Sequence, residues 1–242
     1  MKQLPIDDYK RFKTKVDALK KSCYLEFFAQ NPEVFQIKKE KTISKNLERI
    51  FAAALKISNK KGFHAMSMRH LSKEAGLSTG ALYNYFSGKE ELLEMMQRHR
   101  RTITSRVLRS NIAVEKEPLG KLRAAIKTHL YLSEAMQPWF FFSYMEAKNI
   151  GLRERRAAVQ GELNTEKLFS DIVSMGRDQG IFITDDCRMT AGLIKAMLQD
   201  WYLKRPKHAR RSVDVDGYSR FMTAFIENSI INPQIDAKGN PP

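Results

Sequence analysis

Residues 67–93 read SMRHLSKEAGLSTGALYNYFSGKEELL, and the punctuation of this stretch leaves the chain few ways to fold. Ser67 is a candidate N-cap, because its hydroxyl can accept a free N–H of the first helical turn. Met68, Leu71 and Ala75 follow at helical spacing. Gly76 stands where a left-handed residue closes a helix, with Leu77 as the apolar contact beyond it. Ser78 can cap a second helix, in which Leu82 and Phe86 lie four apart and share a face. The opposite face carries Gly80 and Asn84, flanked by Ala81 and Tyr83. It is small, polar and aromatic, with no evident core partner. Two short helices around a glycine turn, the second exposing such a face, describe a helix-turn-helix that enters a DNA groove.

The order of the pieces is specific. Ala75-Gly76-Leu77-Ser78 is followed by Gly80-Ala81-Leu82-Tyr83-Asn84-Tyr85-Phe86 and then by Lys89-Glu90-Glu91-Leu92-Leu93. This arrangement resembles the DNA-binding domain of the tetracycline-repressor (TetR) family of bacterial transcription regulators. Detailed resemblance covers residues 43–95; beyond them it is architectural, a larger helical half of the expected size. The resemblance implies an all-α fold, with an N-terminal three-helix helix-turn-helix DNA-binding domain followed by a larger helical ligand-binding and dimerisation domain. It implies a homodimeric repressor that binds a palindromic operator on double-stranded DNA and responds to a small-molecule effector. The expected boundaries are a helical extension at 1–40, the DNA-binding domain at 41–95, the effector and dimerisation domain at 96–231 and a tail at 232–242.

Charge points the same way. Residues 1–110 hold 23 lysines and arginines against 11 acids, whereas residues 111–242 hold 19 against 16. The positive field is therefore concentrated in the half that carries the helix-turn-helix, as polyanion binding requires. A non-specific, architectural nucleic-acid-binding protein would show the same charge, and it stands as the alternative. Cys23 and Cys187 have no metal or redox spacing. No apolar leader and no run of about 18 apolar residues is present, so no membrane contact and a cytoplasmic setting are expected.

Residues 6–29 can form a helix with Tyr9, Phe12, Val16, Leu19, Cys23 and Phe27 on one stripe. Its other face is largely lysine. Lys38, Lys39, Lys41 and Lys45 make a basic arm credible; packing on the body of the protein is the alternative. Ile43, Leu47, Ile50, Phe51, Ala54 and Ser58 mark the first helix of the DNA-binding domain, and Phe63 is expected in a small core with Leu71, Leu82 and Phe86. Ser87-Gly88-Lys89-Glu90 has the form of a capping box. Further helices are expected over 118–136, from Pro138 through Met145, over 152–179, over 186–204 capped by Thr184 or Asp185, and from Asp214 or Asp216 onward.

The DNA-contact candidates are Ser67, Arg69, Thr79, Gly80, Ala81, Tyr83, Asn84, Tyr85 and Lys89. Asparagine pairs well with adenine edges, and Gly80 and Ala81 allow close approach to the groove. In the family, residues matching Tyr83, Tyr85 and Lys89 hold phosphates, and the position of Arg69 can reach a base. Packing at the rim of the core competes for both tyrosines, more strongly for Tyr85. Trp139, Phe142, Tyr144, Met145 and Ile126 are the candidates for an apolar ligand pocket, with ordinary core packing as the competing assignment. Arg123, Lys127 and His129 are candidate anchors for an acidic group. The family resemblance and these apolar walls imply a hydrophobic effector. No GxGxxG, GxxxxGK[ST], HExxH or GxSxG is present, and His64, His70, His99, His129 and His208 share no ligand spacing. No catalytic residue, metal or cofactor is therefore expected, nor an enzyme.

Overall fold

The computed structural model describes residues 3–29, 40–148 and 152–234. Its helices are α1 (Tyr9–Ala29), α2 (Glu40–Lys61), α3 (Met68–Ala75), α4 (Thr79–Tyr83), α5 (Lys89–Ile112), α6 (Pro118–Ala135), α7 (Gln137–Met145), α8 (Leu152–Asp178), α9 (Cys187–Leu203), α10 (Arg205–Arg210) and α11 (Val215–Ile230). Among the described residues the fold is all-α, with an isolated antiparallel bridge between Phe182 and Ile231. Lys38 and Lys39 of the expected basic arm lie outside the described residues.

The chain gathers into two compact units. One holds Lys15–Ile103 with Met136–Val159; the other holds Thr104–Ala135 with the chain up to Thr14 and from Gln160 onward. The boundary expected at 95/96 falls inside the continuous helix α5.

In the first unit the α2 stripe is buried as its spacing predicts: Ile43, Leu47, Ile50, Phe51 and Ala54 are all sealed from solvent. Leu71, Leu82, Phe86, Leu92 and Met96 are buried as well. The α7 segment, expected in the larger half, packs here because its rings find partners on α2 and just beyond it. Trp139 meets Phe51 edge-on at 5.5 Å between centroids, and Phe142 meets Phe63 at 5.9 Å. Asn59 Nδ2 donates to the Pro138 carbonyl at 3.0 Å, and the Phe63 N–H donates to Glu146 Oε1 at 3.0 Å. Phe63 is thus buried as expected, but its aromatic partner is on α7. Tyr24 of α1 lies outside the predicted stripe and is buried too. It stacks on His99 at 4.3 Å, and His99 lies 5.2 Å from Trp139.

In the second unit α6 is buried along most of its length. Tyr9 and Phe12 each meet Tyr131 edge-on at 5.3 Å. Glu134 receives Trp201 Nε1 at 3.0 Å and a two-pronged bond from Arg205 at 2.9 and 3.1 Å. Gly176 lies against Phe182 so closely that a Cβ there would stand 2.0 Å from the ring. Asp186 caps α9, rather than Thr184 or Asp185, accepting the N–H groups of Arg188 and Met189. Asp214 caps α11. Pro206 stops α9 and sits in the first turn of α10, where its missing N–H costs nothing.

Burial holds His99 well below its ordinary 6.5, down to about 3, with the Lys20 charge pushing the same way. The unfolded ring takes up a proton near 6.5 and the folded one does not until about 3. Stability is therefore complete above 6.5 and is lost as pH falls through this window, by up to about 1.4 kcal/mol per pH unit. Thermal melts between pH 6.5 and 5, above most carboxylate titrations, should show a falling melting temperature, and His99→Phe should flatten that slope.

Candidate nucleic-acid interface

The helix-turn-helix is built from local capping. Ser67 has extended backbone and its Oγ accepts the His70 N–H at 3.1 Å, which starts α3. Gly76 takes the left-handed conformation, φ 62°, at the end of α3. Its N–H bonds to the Lys73 carbonyl at 3.3 Å and the Leu77 N–H bonds to that of Ser72 at 3.0 Å, so the turn satisfies the last carbonyls. Ser78 Oγ accepts the Ala81 N–H at 3.1 Å and starts α4. Thr79 Oγ1 donates to Ser72 Oγ at 3.2 Å and ties the two helices together. From α2, Arg49 Nη2 donates to the Gly76 carbonyl at 2.7 Å.

The second helix is short. It runs from Thr79 to Tyr83, and Asn84 is its C-terminal cap. This corrects the expectation for Tyr85. Past the end of α4 the chain turns inward, the Tyr85 N–H bonding to the Leu82 carbonyl at 2.9 Å. The Tyr85 ring is 1% exposed, and its hydroxyl accepts a bond from Asn46 Nδ2 at 2.8 Å. Tyr85 is therefore a core residue that ties α4 to α2, and burial raises its phenol pKa. Tyr83, two residues earlier, is 53% exposed. Ser67, Arg69, Gly80 and Asn84 are exposed, and Thr79, Ala81 and Lys89 are half-buried.

At the start of α5 the box closes one residue later than Ser87-Gly88-Lys89-Glu90 suggests. The Ser87 N–H and Oγ reach Glu91 Oε2 at 2.7 and 2.8 Å, because α5 begins at Lys89 and Glu91 is its third residue. Lys89 Nζ donates to the His64 carbonyl at 3.1 Å and lies 5.8 Å from the Phe63 ring centroid. These contacts account for a lysine at a helix N-terminus without an anion.

The residues singled out for a ligand pocket are not brought together. Trp139 and Phe142 are buried in the aromatic packing of the first unit, Tyr144 and Met145 at the end of α7 are 52% and 45% exposed, and Ile126 is buried in the second unit. Alternate faces of one short helix cannot line one wall. Of the acid anchors, Arg123 is already clamped to Glu227 at 2.5 and 2.9 Å, Lys127 lies over the Tyr131 ring and His129 is buried. The second unit does carry an open cleft of about 950 Å³, but its walls include Asp7, Lys10, Arg123, Lys127, Asp216 and Arg220. Sequence reasoning missed Asn46, Arg49, Asn59 and Glu146, each of which supports the helix-turn-helix or α7 from a distance of 27 to 83 residues.

A Cβ on residue 76 would meet Arg49 Nη2 at 2.6 Å, and the left-handed backbone is costly for any L side chain. Gly76→Ala should lower stability by about 1–2 kcal/mol, read as an earlier midpoint in urea unfolding.

The comparisons with known proteins agree with this geometry. A family model described as bacterial regulatory proteins, tetR family, matches residues 50–96. The transcriptional regulator BetI of Vibrio campbellii is 40% identical over 72 residues, 30% of this chain and 33% of that protein. The chain spans between 33% and 61% of the length of the first curated relatives it matches. A tetR-family regulatory protein from Rhodococcus RHA1 superposes with a TM-score of 0.70 at 18% identity, covering 76% of this chain and 95% of its own. A transcriptional regulator from Saccharomonospora viridis, solved in complex with choline, superposes at 0.65 with 17% identity over 78% of this chain and 99% of its own. The caps, the glycine turn and α4 all fall within the matched segment, and over residues 50–96 the chain is similar to the tetR family of bacterial regulatory proteins.

Proposed function

We propose that the chain is a cytoplasmic, ligand-responsive transcription regulator, a repressor and not an enzyme, that binds a two-fold symmetric operator as a homodimer. The observation that carries this reading is the reading helix itself. Caps at Ser78 and Asn84 define α4, burial of Leu82 and Tyr85 orients it, and the exposed side holds Gly80, Tyr83 and Asn84. A close-approaching glycine, a base-pairing amide and a phosphate-reaching phenol are the groups a major groove demands. Ser67, Arg69, Thr79 and Lys89 flank them.

The homodimer is supported by a second observation. Met189 and Leu193 of α9, and Phe221 and Phe225 of α11, are four apart on their helices and 50% to 66% exposed. Phe221 and Phe225 stack at 6.2 Å. Exposed apolar pairs on two helices of one unit are the kind of patch that a partner covers, and a two-fold pairing would form a four-helix bundle. The dimer would set the spacing of two reading heads, and an effector that prefers one spacing would shift the population. The Saccharomonospora viridis relative, solved with choline, supports a small effector in this fold. No helix among the described residues is long and apolar enough to cross a membrane.

Fluorescent duplexes tiling the DNA around the chain's own gene test the proposal. One of them should bind far more tightly than a scrambled duplex; uniform binding would favour the architectural, charge-only alternative. On the specific duplex, Asn84→Ala should cost ~1–3 kcal/mol and relax preference at one position per half-site. Phe221→Lys combined with Phe225→Lys should sediment as a folded monomer. A wild type that sediments as a monomer at micromolar concentration would remove the dimer.

A further inference from the structure

We infer that Arg100, with Gln97 beside it, anchors the carboxylate of a small organic acid, the effector of the regulator proposed above, on whose reading this assignment rests. Gln97 and Arg100 are one turn apart on α5 and share a face. Both are buried, at 1% and 8% exposure. Among the described residues no carboxylate pairs with Arg100; its contact is the face of Phe140 on α7, 5.3 Å from the ring centroid. Its Nε is sealed from solvent and bonds to nothing, and the same holds for Gln97 Nε2 and, one turn beyond Phe140, for Ser143 Oγ.

Buried donors without acceptors are costly, and a buried cation without a counter-charge more so. The other buried cation among the described residues, Lys195, is paired with Glu162. Arg100 is the departure. A guanidinium offers N–H donors and no acceptor, so the absent partner is an anionic acceptor. Its planar fork fits a carboxylate two-pronged. The wall the guanidinium meets is aromatic: Phe140 of α7 lies against it, and Trp139, next to Phe140 in the chain, is buried too. A hydrophobic acid suits such walls better than a strongly hydrated phosphate does. Trp139 also packs on Phe51 of α2, the helix whose Asn46 and Arg49 hold the reading pair. An acid seated at Arg100 would therefore press on the support of the interface itself.

Thermal unfolding of the full chain tests the anchor, with sodium octanoate and sodium benzoate as probes, octanamide and benzamide as neutral twins, and inorganic phosphate as a third arm. At least one acid should raise the melting temperature, while its amide and phosphate do not. Arg100→Met should melt higher than wild type without ligand, because an unpaired buried charge is gone, and should lose the response to acid. Gln97→Met should fold and weaken acid binding by about ten- to a hundredfold, as loss of one charge-assisted hydrogen bond does. Absence of a shift with either acid, equal shifts with acid and amide, an equal shift with phosphate, or an Arg100→Met protein that still responds would each overturn the assignment. Operator binding by the wild type without acid is measured alongside; its failure would strike the regulator reading and leave the acid response as a separate result.

Discussion

A helix of five residues does not hold itself in water, because the cost of its first turn is never recovered by propagation. Helix α4, Thr79–Tyr83, therefore exists only as part of the small core beneath it. Leu82 is fully buried, and Tyr85 and Phe86, just past the helix, are 1% exposed. Tyr85 reaches α2 through Asn46, and Arg49 of α2 holds the carbonyl at the glycine turn. Each of these contacts points inward, and that leaves Gly80, Tyr83 and Asn84 on the outer side. The exposed set is what remains once every residue that can be buried has been.

The support extends to α7. Its rings pack on Phe51 and Phe63, and Pro138 and Glu146 accept hydrogen bonds from Asn59 and from the backbone at Phe63. The segment is distant in sequence from the helix-turn-helix but is part of its unit. A change in the packing of α7 would be felt at α2 directly. His99 and Arg100 stand at that seam on α5: one is stacked among aromatic rings with its pKa depressed by burial, the other is an unpaired cation against Phe140. Such polar groups in a core cost stability, and their presence at this seam is the reason to look there for regulation.

Local chemistry was legible in the sequence. Ser67, Gly76 and Ser78 each act within four residues, so their roles as caps and turn follow from spacing alone. The apolar stripe of α2 was legible for the same reason. What could not be read depended on partners far along the chain. Tyr83 and Tyr85 look alike locally; they part only because α4 stops at Asn84 and Asn46 lies 39 residues away. The aromatic run at 139–142 reads as wall or core with equal ease until Phe51 and Phe63 are seen to claim it. Asp186 and Glu91 each displaced an expected cap partner by a residue, because the register of a helix start is set by which carboxylate reaches the free N–H groups.

The central claim is that the exposed end of a buried, capped five-residue helix reads base sequence. Selection of bound duplexes from a random pool at moderate salt, followed by sequencing, tests it most directly. The account predicts a single enriched site made of two half-sites related by a two-fold axis, with sharp preferences at the positions α4 faces. A bound pool with no shared sequence would contradict it and leave a protein that holds DNA by charge alone.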